Sequence, residues 1–149
     1  MEDQTIIIKL LKPEDHEIGI KAAGIFYNDN PDIDYMKSFL SNRHNYLIVA
    51  ILNNHPVGFV LGYQLDSWHQ NNKEILLYDI EVLNEYRKLG IWRKLMTELK
   101  TIAKKDGFKE IWLPTEKSNI PAVEFYKKMW GIQKHDDDTL FSFNLEKEV

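Results

Sequence analysis

At 149 residues the chain has room for one core of ordinary size and none for two separate ones, so a single domain over 1–149 is expected. Hydrophobic residues make up 44% and charged residues 28%, which excludes the composition of a disordered chain. A net charge of −4 and a pI near 5.7 argue against a phosphate-tracking surface, so no nucleic-acid partner is expected. With no cysteine there is no disulfide frame, thiolate metal site or cysteine nucleophile, and the chain suits a reducing compartment. The start Met-Glu-Asp-Gln-Thr lacks the cationic, apolar-centred look of a secretory signal, and the chain reads as cytoplasmic.

Thr5 to Leu10 is a β-branched run of strand length, stopped by Lys12-Pro13. Beyond Pro13, the acids Glu14 and Asp15 suit a helix start, and Ile18, Ala22, Ile25 and Phe26 recur at helical spacing until Asn28. The turn cluster Asn28 to Asp32 leads to a short second helix on Ile33, Met36, Phe39 and Leu40. From His44 to Leu65 there is no Asp, Glu, Lys or Arg, long enough for a membrane span. Its centre, Asn53-Asn54-His55-Pro56, is polar and helix-breaking between β-branched and aromatic flanks, which predicts a buried hairpin of Tyr46 to Leu52 and Val57 to Leu65 and no membrane contact.

Glu74 to Val82 reads as a fourth strand, central because its first half is nearly all apolar. The period turns helical from Gly90, where Ile91, Leu95, Leu99, Ile102 and Ala103 form one stripe ending at Asp106-Gly107. Glu110 to Pro114 predicts a fifth strand, parallel to the fourth because a helix connects them. Ser118-Asn119-Ile120-Pro121 opens a fourth helix with Ala122, Val123, Phe125, Tyr126, Met129 and Trp130 on its apolar face, ending at Gly131. Ile132 to His135 and Leu140 to Leu145 are expected as strands six and seven. The five His residues are scattered without ligand spacing, and no metal is assigned.

The fourth strand runs through Asn84-Glu85-Tyr86-Arg87-Lys88-Leu89-Gly90-Ile91 straight into the long helix. A strand, a basic glycine-containing loop and a helix N-terminus make an anion site. Neither nucleotide glycine motif, Gly-x-x-x-x-Gly-Lys-Ser/Thr or Gly-x-Gly-x-x-Gly, is present. Val82 to Ile91, with Arg87-x-x-Gly90-x, resembles the acetyl-CoA pyrophosphate loop of the GNAT N-acetyltransferase superfamily, and Asn119-x-x-Ala122-x-x-Phe125-Tyr126 with Gly131 is similar to its second signature. Tyr78-Asp79-Ile80-Glu81-Val82, the Arg87 to Ile91 loop and Pro121 to Tyr126 resemble, more narrowly, the aminoglycoside 3-N-acetyltransferase branch. The match is continuous from about Glu74 to the C-terminus. It departs at Trp92, where the superfamily usually carries Gly or Ala.

The resemblance implies an α/β (α+β) fold with a mixed, mostly antiparallel seven-stranded sheet, four helices, and strands four and five splayed around acetyl-CoA. It implies cofactor contacts by Ile80, Val82, Arg87, Lys88, Leu89, Gly90, Ile91, Trp92, Arg93, Asn119 and Tyr126. Tyr126 would protonate the leaving thiolate, and Asp79 or Glu81, or water, would accept the amine proton. Residues 84–131 carry a net +5 and residues 1–40 a net −4. Asp29, Asp32, Asp34 and Asp137 are therefore the expected acceptor-side acids, and the expected acceptor is a small cationic amine such as an aminoglycoside. A peptide, protein or polyamine amine, or acyl-CoA binding without turnover suggested by Trp92, are the alternatives. A homodimer is left open.

Overall fold

The structure, a computed structural model, describes residues 5–146; most of the start read above as non-secretory lies outside the described residues. It divides into two compact units, one running through Pro114 and the other from Thr115 on.

In the first unit the elements are β1 (Ile7–Leu10), α1 (His16–Tyr27), α2 (Ile33–Ser41), β2 (Asn45–Leu52), β3 (His55–Asp66), β4 (Lys73–Val82), α3 (Ile91–Lys105) and β5 (Glu110–Trp112), with single 3-10 turns at Pro13–Asp15 and Asn84–Tyr86. The strands form one sheet in the order β1-β2-β3-β4-β5. β1 to β4 pair antiparallel with one another, and β4 pairs parallel with β5 across the helical connection of α3. The sheet is therefore mixed, with five strands among the described residues in place of the seven that the sequence led us to expect. β5 is also shorter than expected, stopping at Trp112.

The charge-free stretch folds back at Asn53 and Asn54, whose φ values of 50° and 63° are those of a two-residue hairpin turn with both centres left-handed. Asparagine tolerates that region better than most residues, which is why the apolar run becomes two paired strands. Among the described residues no helix is long and apolar enough to cross a membrane.

Both faces of the sheet are covered. Leu11, Val49, Ile51 and Phe59 pack with Met36 and Leu40 of α2 on one face, joined by Ile18 and Phe26 of the first helical region. On the other face α3 lays down the fully buried Ile91, Leu95 and Leu99. On this face Gly62 has no room for a side chain: an added Cβ would stand 2.8 Å from Ile75 Cγ2 and 3.6 Å from Leu99 Cδ1.

Pairing of β3 with β4 shifts register between Leu61 and Gly62: Leu61 faces Asp79, Gly62 faces Leu77, and Tyr78 is the extra residue of a bulge. Because side chains alternate along a strand, the bulge exchanges the two faces of everything after it. Ile75 and Leu77 point with Gly62 toward α3, whereas Asp79 and Glu81 point with Leu61 and Phe59 toward α1 and α2.

The second unit holds α4 (Ile120–Lys128). Asn119 Oδ1 accepts the Ala122 N–H at 3.4 Å at its start. At its end Trp130 is left-handed, and the N–H groups of Trp130 and Gly131 donate to Lys127 O and Tyr126 O at 3.1 and 2.8 Å. The strands expected at Ile132 to His135 and Leu140 to Leu145 are absent; both stretches are irregular, with Ile132, Leu140, Phe141, Phe143 and Leu145 exposed. β-propensity alone does not hold a two-stranded hairpin in water, which needs further strands or a packed face.

Gly62→Ala should destabilise the fold by about 1–3 kcal/mol, the usual cost of overpacking, because Ile75 is fully buried and has nowhere to move. Urea denaturation of the variant against the parent measures this.

Candidate active site

The loop after β4 is held by its own backbone. Leu83 N–H donates to Val57 O at 2.9 Å, Arg87 N–H to Asn84 O at 3.3 Å, and the Arg87 side chain returns from Nε to Val82 O at 3.2 Å. Lys88 and Gly90 both take positive φ, 64° and 75°, and Gly90 is the residue from which α3 starts. No side chain caps this helix start and its first turn carries no acid. Its leading N–H groups and dipole are thus directed at an open, basic surface. Nothing lies within 4 Å of where a Cβ of Gly90 would stand. Ile91 is buried as the anchor, Trp92 is half-buried, and Lys88, Leu89, Gly90 and Arg93 are exposed. This donor set fits an anionic group of pyrophosphate type.

β4 outruns β5. The parallel pairing covers only Glu74, Ile75 and Leu76 opposite Glu110, Ile111 and Trp112, so from Leu77 to Val82 β4 has β3 alone as sheet partner among the described residues. The backbone of Ile80 and Val82, both expected to touch the cofactor, lies in this stretch and ends at the anion-binding loop.

Asp79 and Glu81 share the opposite face, as two residues after one bulge must. The Tyr27 hydroxyl, from the last residue of α1, donates to Asp79 Oδ2. Burial raises the Tyr27 phenol well above its ordinary value, with the hydrogen bond and charge of Asp79 adding to it. For Glu81, partial desolvation of the carboxyl raises its pKa, the Asp79 charge adds to the rise, and the Arg87 guanidinium works against it. The two carboxylates thus have different surroundings: Asp79 accepts from a phenol, whereas Glu81 is exposed and ionises less readily than an ordinary glutamate.

Beside them, between α1, α2 and the sheet, opens a cavity of about 520 Å³, within the ~300–1,000 Å³ range of small-molecule sites. Phe59 and Leu61 line it, and their cross-strand neighbours are Glu81 and Asp79. Of the acids expected on the acceptor side, Asp29 lines the cavity. Asp32 caps α2, its Oδ1 accepting the Tyr35 N–H at 2.8 Å, and Asp34 is exposed in the first turn of that helix. The sequence reading missed Tyr27, Tyr35 and Tyr63, all cavity-lining. The signal available was the Tyr closing the first helix and the alternation Phe59, Leu61, Tyr63 on one strand face. Among the described residues no three His, Asp or Glu side chains gather as metal ligands would.

In the second unit Asn119 caps α4, Tyr126 is half-buried with its ring 5.6 Å from that of Phe125, and Asp137 is exposed.

Residues 13–132 match the model of the Acetyltransferase (GNAT) family. The chain belongs to that family. Curated relatives include N-alpha-acetyltransferase 50 of Danio rerio, 38% identical over 60 residues (40% of this chain, 36% of the relative). N-acetyltransferase 8 of Homo sapiens is 30% identical over 101 residues, 68% of this chain and 44% of the relative. Streptothricin acetyltransferase of Streptomyces lavendulae is 32% identical over 72 residues, 48% and 38% of the two chains. The chain thus spans less than half the length of these curated relatives. Among solved structures, an aminoglycoside acetyltransferase from an uncultured soil metagenomic sample, in complex with sisomicin, superposes with a TM-score of 0.80 at 22% identity, covering 93% of this chain and 97% of that one. An aminoglycoside N-acetyltransferase in complex with CoA gives 0.78 at 14% identity, covering 97% of each chain. At these identities the likeness is one of fold, and the α+β GNAT fold with four helices and a mixed sheet is what this chain has.

The Glu81 carboxyl should titrate above the ordinary glutamate range, and Asp79→Asn should lower its pKa, because a like charge that disfavours ionisation is removed. Side-chain carboxyl NMR over a pH series reads both.

Proposed function

We propose that this protein transfers the acetyl group of acetyl-CoA by direct attack onto the primary amine of a small cationic acceptor. The amine nitrogen attacks the thioester carbonyl carbon, the new C–N bond forms, the C–S bond breaks, and CoA leaves as the thiol. An acceptor that arrives as an ammonium releases one proton overall.

One observation carries the reading: the bulge at Tyr78 directs two carboxylates to the cavity side of β4 in the same segment whose end feeds an uncapped, basic helix start. Glu81 is the base, since its raised pKa brings it nearer the operating pH than an ordinary carboxylate. Asp79, held by Tyr27, keeps the site negative for the arriving cation. Backbone groups of Ile80 to Val82 polarise the thioester carbonyl, where β4 has run past β5 and the two strands splay. Arg87, Lys88, Leu89, Gly90, Ile91, Trp92 and Arg93 form the pyrophosphate loop, with Asn119 as a further cofactor contact. Tyr126 gives its proton to the departing thiolate, and the chain acts as a single transferase domain. Asp29, Asp32, Asp34 and Asp137 steer cations toward the site.

Aminoglycosides enter as candidate acceptors through the solved neighbours of this fold, and peptide N-termini through the N-alpha-acetyltransferase relative.

Tyr126→Phe should fold and bind acetyl-CoA as the parent does, and lose kcat by about 10²- to 10⁴-fold. Unchanged turnover, followed by CoA release, would remove Tyr126 from the chemistry. Acetyl-CoA at a hundredfold excess over its Kd should stabilise the folded protein by about 2.7 kcal/mol. Gly90→Asp should erase that increment in a thermal shift assay, because it places a carboxylate and a disfavoured φ of 75° at the helix start. In Glu81→Gln the rate deficit should narrow as pH rises, since free amine then forms without a base. A deficit constant with pH would make water or Asp79 the proton acceptor.

A further inference from the structure

The chemistry of the cavity wall is at odds with a sugar-like acceptor. Fourteen residues line the cavity, and the only side chains among them that are neither apolar nor aromatic are Asp29 and Asn30. Five are aromatic: Tyr27, Tyr35, Phe39, Phe59 and Tyr63. The rings are arranged around the space as edge-on and tilted pairs, Tyr27 with Phe59 at 6.0 Å between centroids and Phe39 with Tyr63 at 6.5 Å. Phe59, buried at 3% exposure, forms the floor; Tyr35, at 65%, stands at the mouth. The Tyr27 hydroxyl is already engaged with Asp79, so it has no proton left to offer a guest.

An aminoglycoside or a polyamine placed here would strip water from many hydroxyl or ammonium groups and meet few partners for them, which is costly. An aromatic body meets the five rings and the apolar surface of Met36, Leu47 and Leu61. Its ammonium finds the π faces of the tyrosines and, on the β4 side of Phe59 and Leu61, the carboxylates of Glu81 and Asp79. Hydrophobic shape and a single cationic end are thus selected together by one wall.

We infer that the acceptor is a small primary amine carried on an aromatic or branched apolar body, of the phenethylamine type, seated ring-first among Phe59, Phe39, Tyr63 and Tyr27 with its nitrogen toward Glu81. This rests on the transferase reading above and narrows its acceptor class.

The test is an acceptor panel on the full chain with acetyl-CoA: phenethylamine, spermidine, an aminoglycoside, and a short peptide beginning with a large apolar residue, followed by CoA release. Phenethylamine should exceed spermidine and the aminoglycoside in kcat/KM by at least about tenfold, the discrimination that even one methylene group achieves in an apolar pocket. Equal or better turnover of either polar acceptor overturns the inference, and a peptide that outruns phenethylamine assigns the cavity to a protein N-terminus instead. Ala23→Leu adds volume to the wall at a half-buried helical position. It should raise the KM for phenethylamine about tenfold while leaving the KM for acetyl-CoA and the circular dichroism unchanged; an unmoved amine KM counts against the assigned seat. If no amine is acetylated, the transferase reading fails, and calorimetric titration of phenethylamine still decides the cavity. Saturable binding weakened by Ala23→Leu supports the inference, and no binding overturns it.

Discussion

A single inserted residue governs the site. Without Tyr78 as an extra residue in β4, Asp79 would keep the parity of Ile75 and Leu77 and point under α3, into a layer where Leu95 and Leu99 are fully buried. Two carboxylates there would have to lose their charge or break the packing, since an unpaired buried charge is far too costly to keep. With the bulge, the apolar half of β4 serves the α3 core and its acidic half serves the opposite face. The strand changes allegiance in mid-course, and everything at the candidate site follows from that.

The second determinant is the difference in length between β4 and β5. Parallel pairing ends at Leu76 and Trp112, while β4 continues for six residues into the loop that starts α3. A backbone edge without its next strand is a hazard on most proteins. Next to an uncapped helix start and a basic loop it is the surface on which we propose that the thioester and pyrophosphate sit, because backbone groups left without a strand partner are available to a ligand. Arg87 contributes to this surface in a way its charge alone does not suggest: its Nε ties the loop back to the carbonyl of Val82.

Acid is used unevenly. Asp15 is the one buried polar residue among those described; burial opposes its charge, but Lys9 Nζ at 2.7 Å and the Lys12 N–H at 2.8 Å more than compensate and hold its pKa below the ordinary value. Asp32 is spent on a helix cap, and only Asp29 of the α1–α2 turn reaches the cavity wall. The cluster that looks like a cation trap in sequence is therefore part cap and part rim, and the selectivity of the pocket lies more in its rings than in its charges.

Much of this was legible in the sequence. Hydrophobic period located the four helices and the first five strands, because burying one stripe or one face is a local demand on spacing. The polar centre Asn53 to Pro56 announced the hairpin, Gly90 marked the loop before the long helix, and the two family signatures carried the identity of the fold. Three things were decided only in three dimensions. The bulge left no mark in the alternation that could be told from a regular strand, since Tyr78-Asp79-Ile80-Glu81 alternates equally well about either face. The aromatic wall joins Tyr27, Tyr35, Phe39, Phe59 and Tyr63 from three elements, and only packing brings them to one space. The last two expected strands had the right residues but no established ladder, because β-structure is a property of paired chains, and a run such as Leu140 to Leu145 carries propensity without a partner.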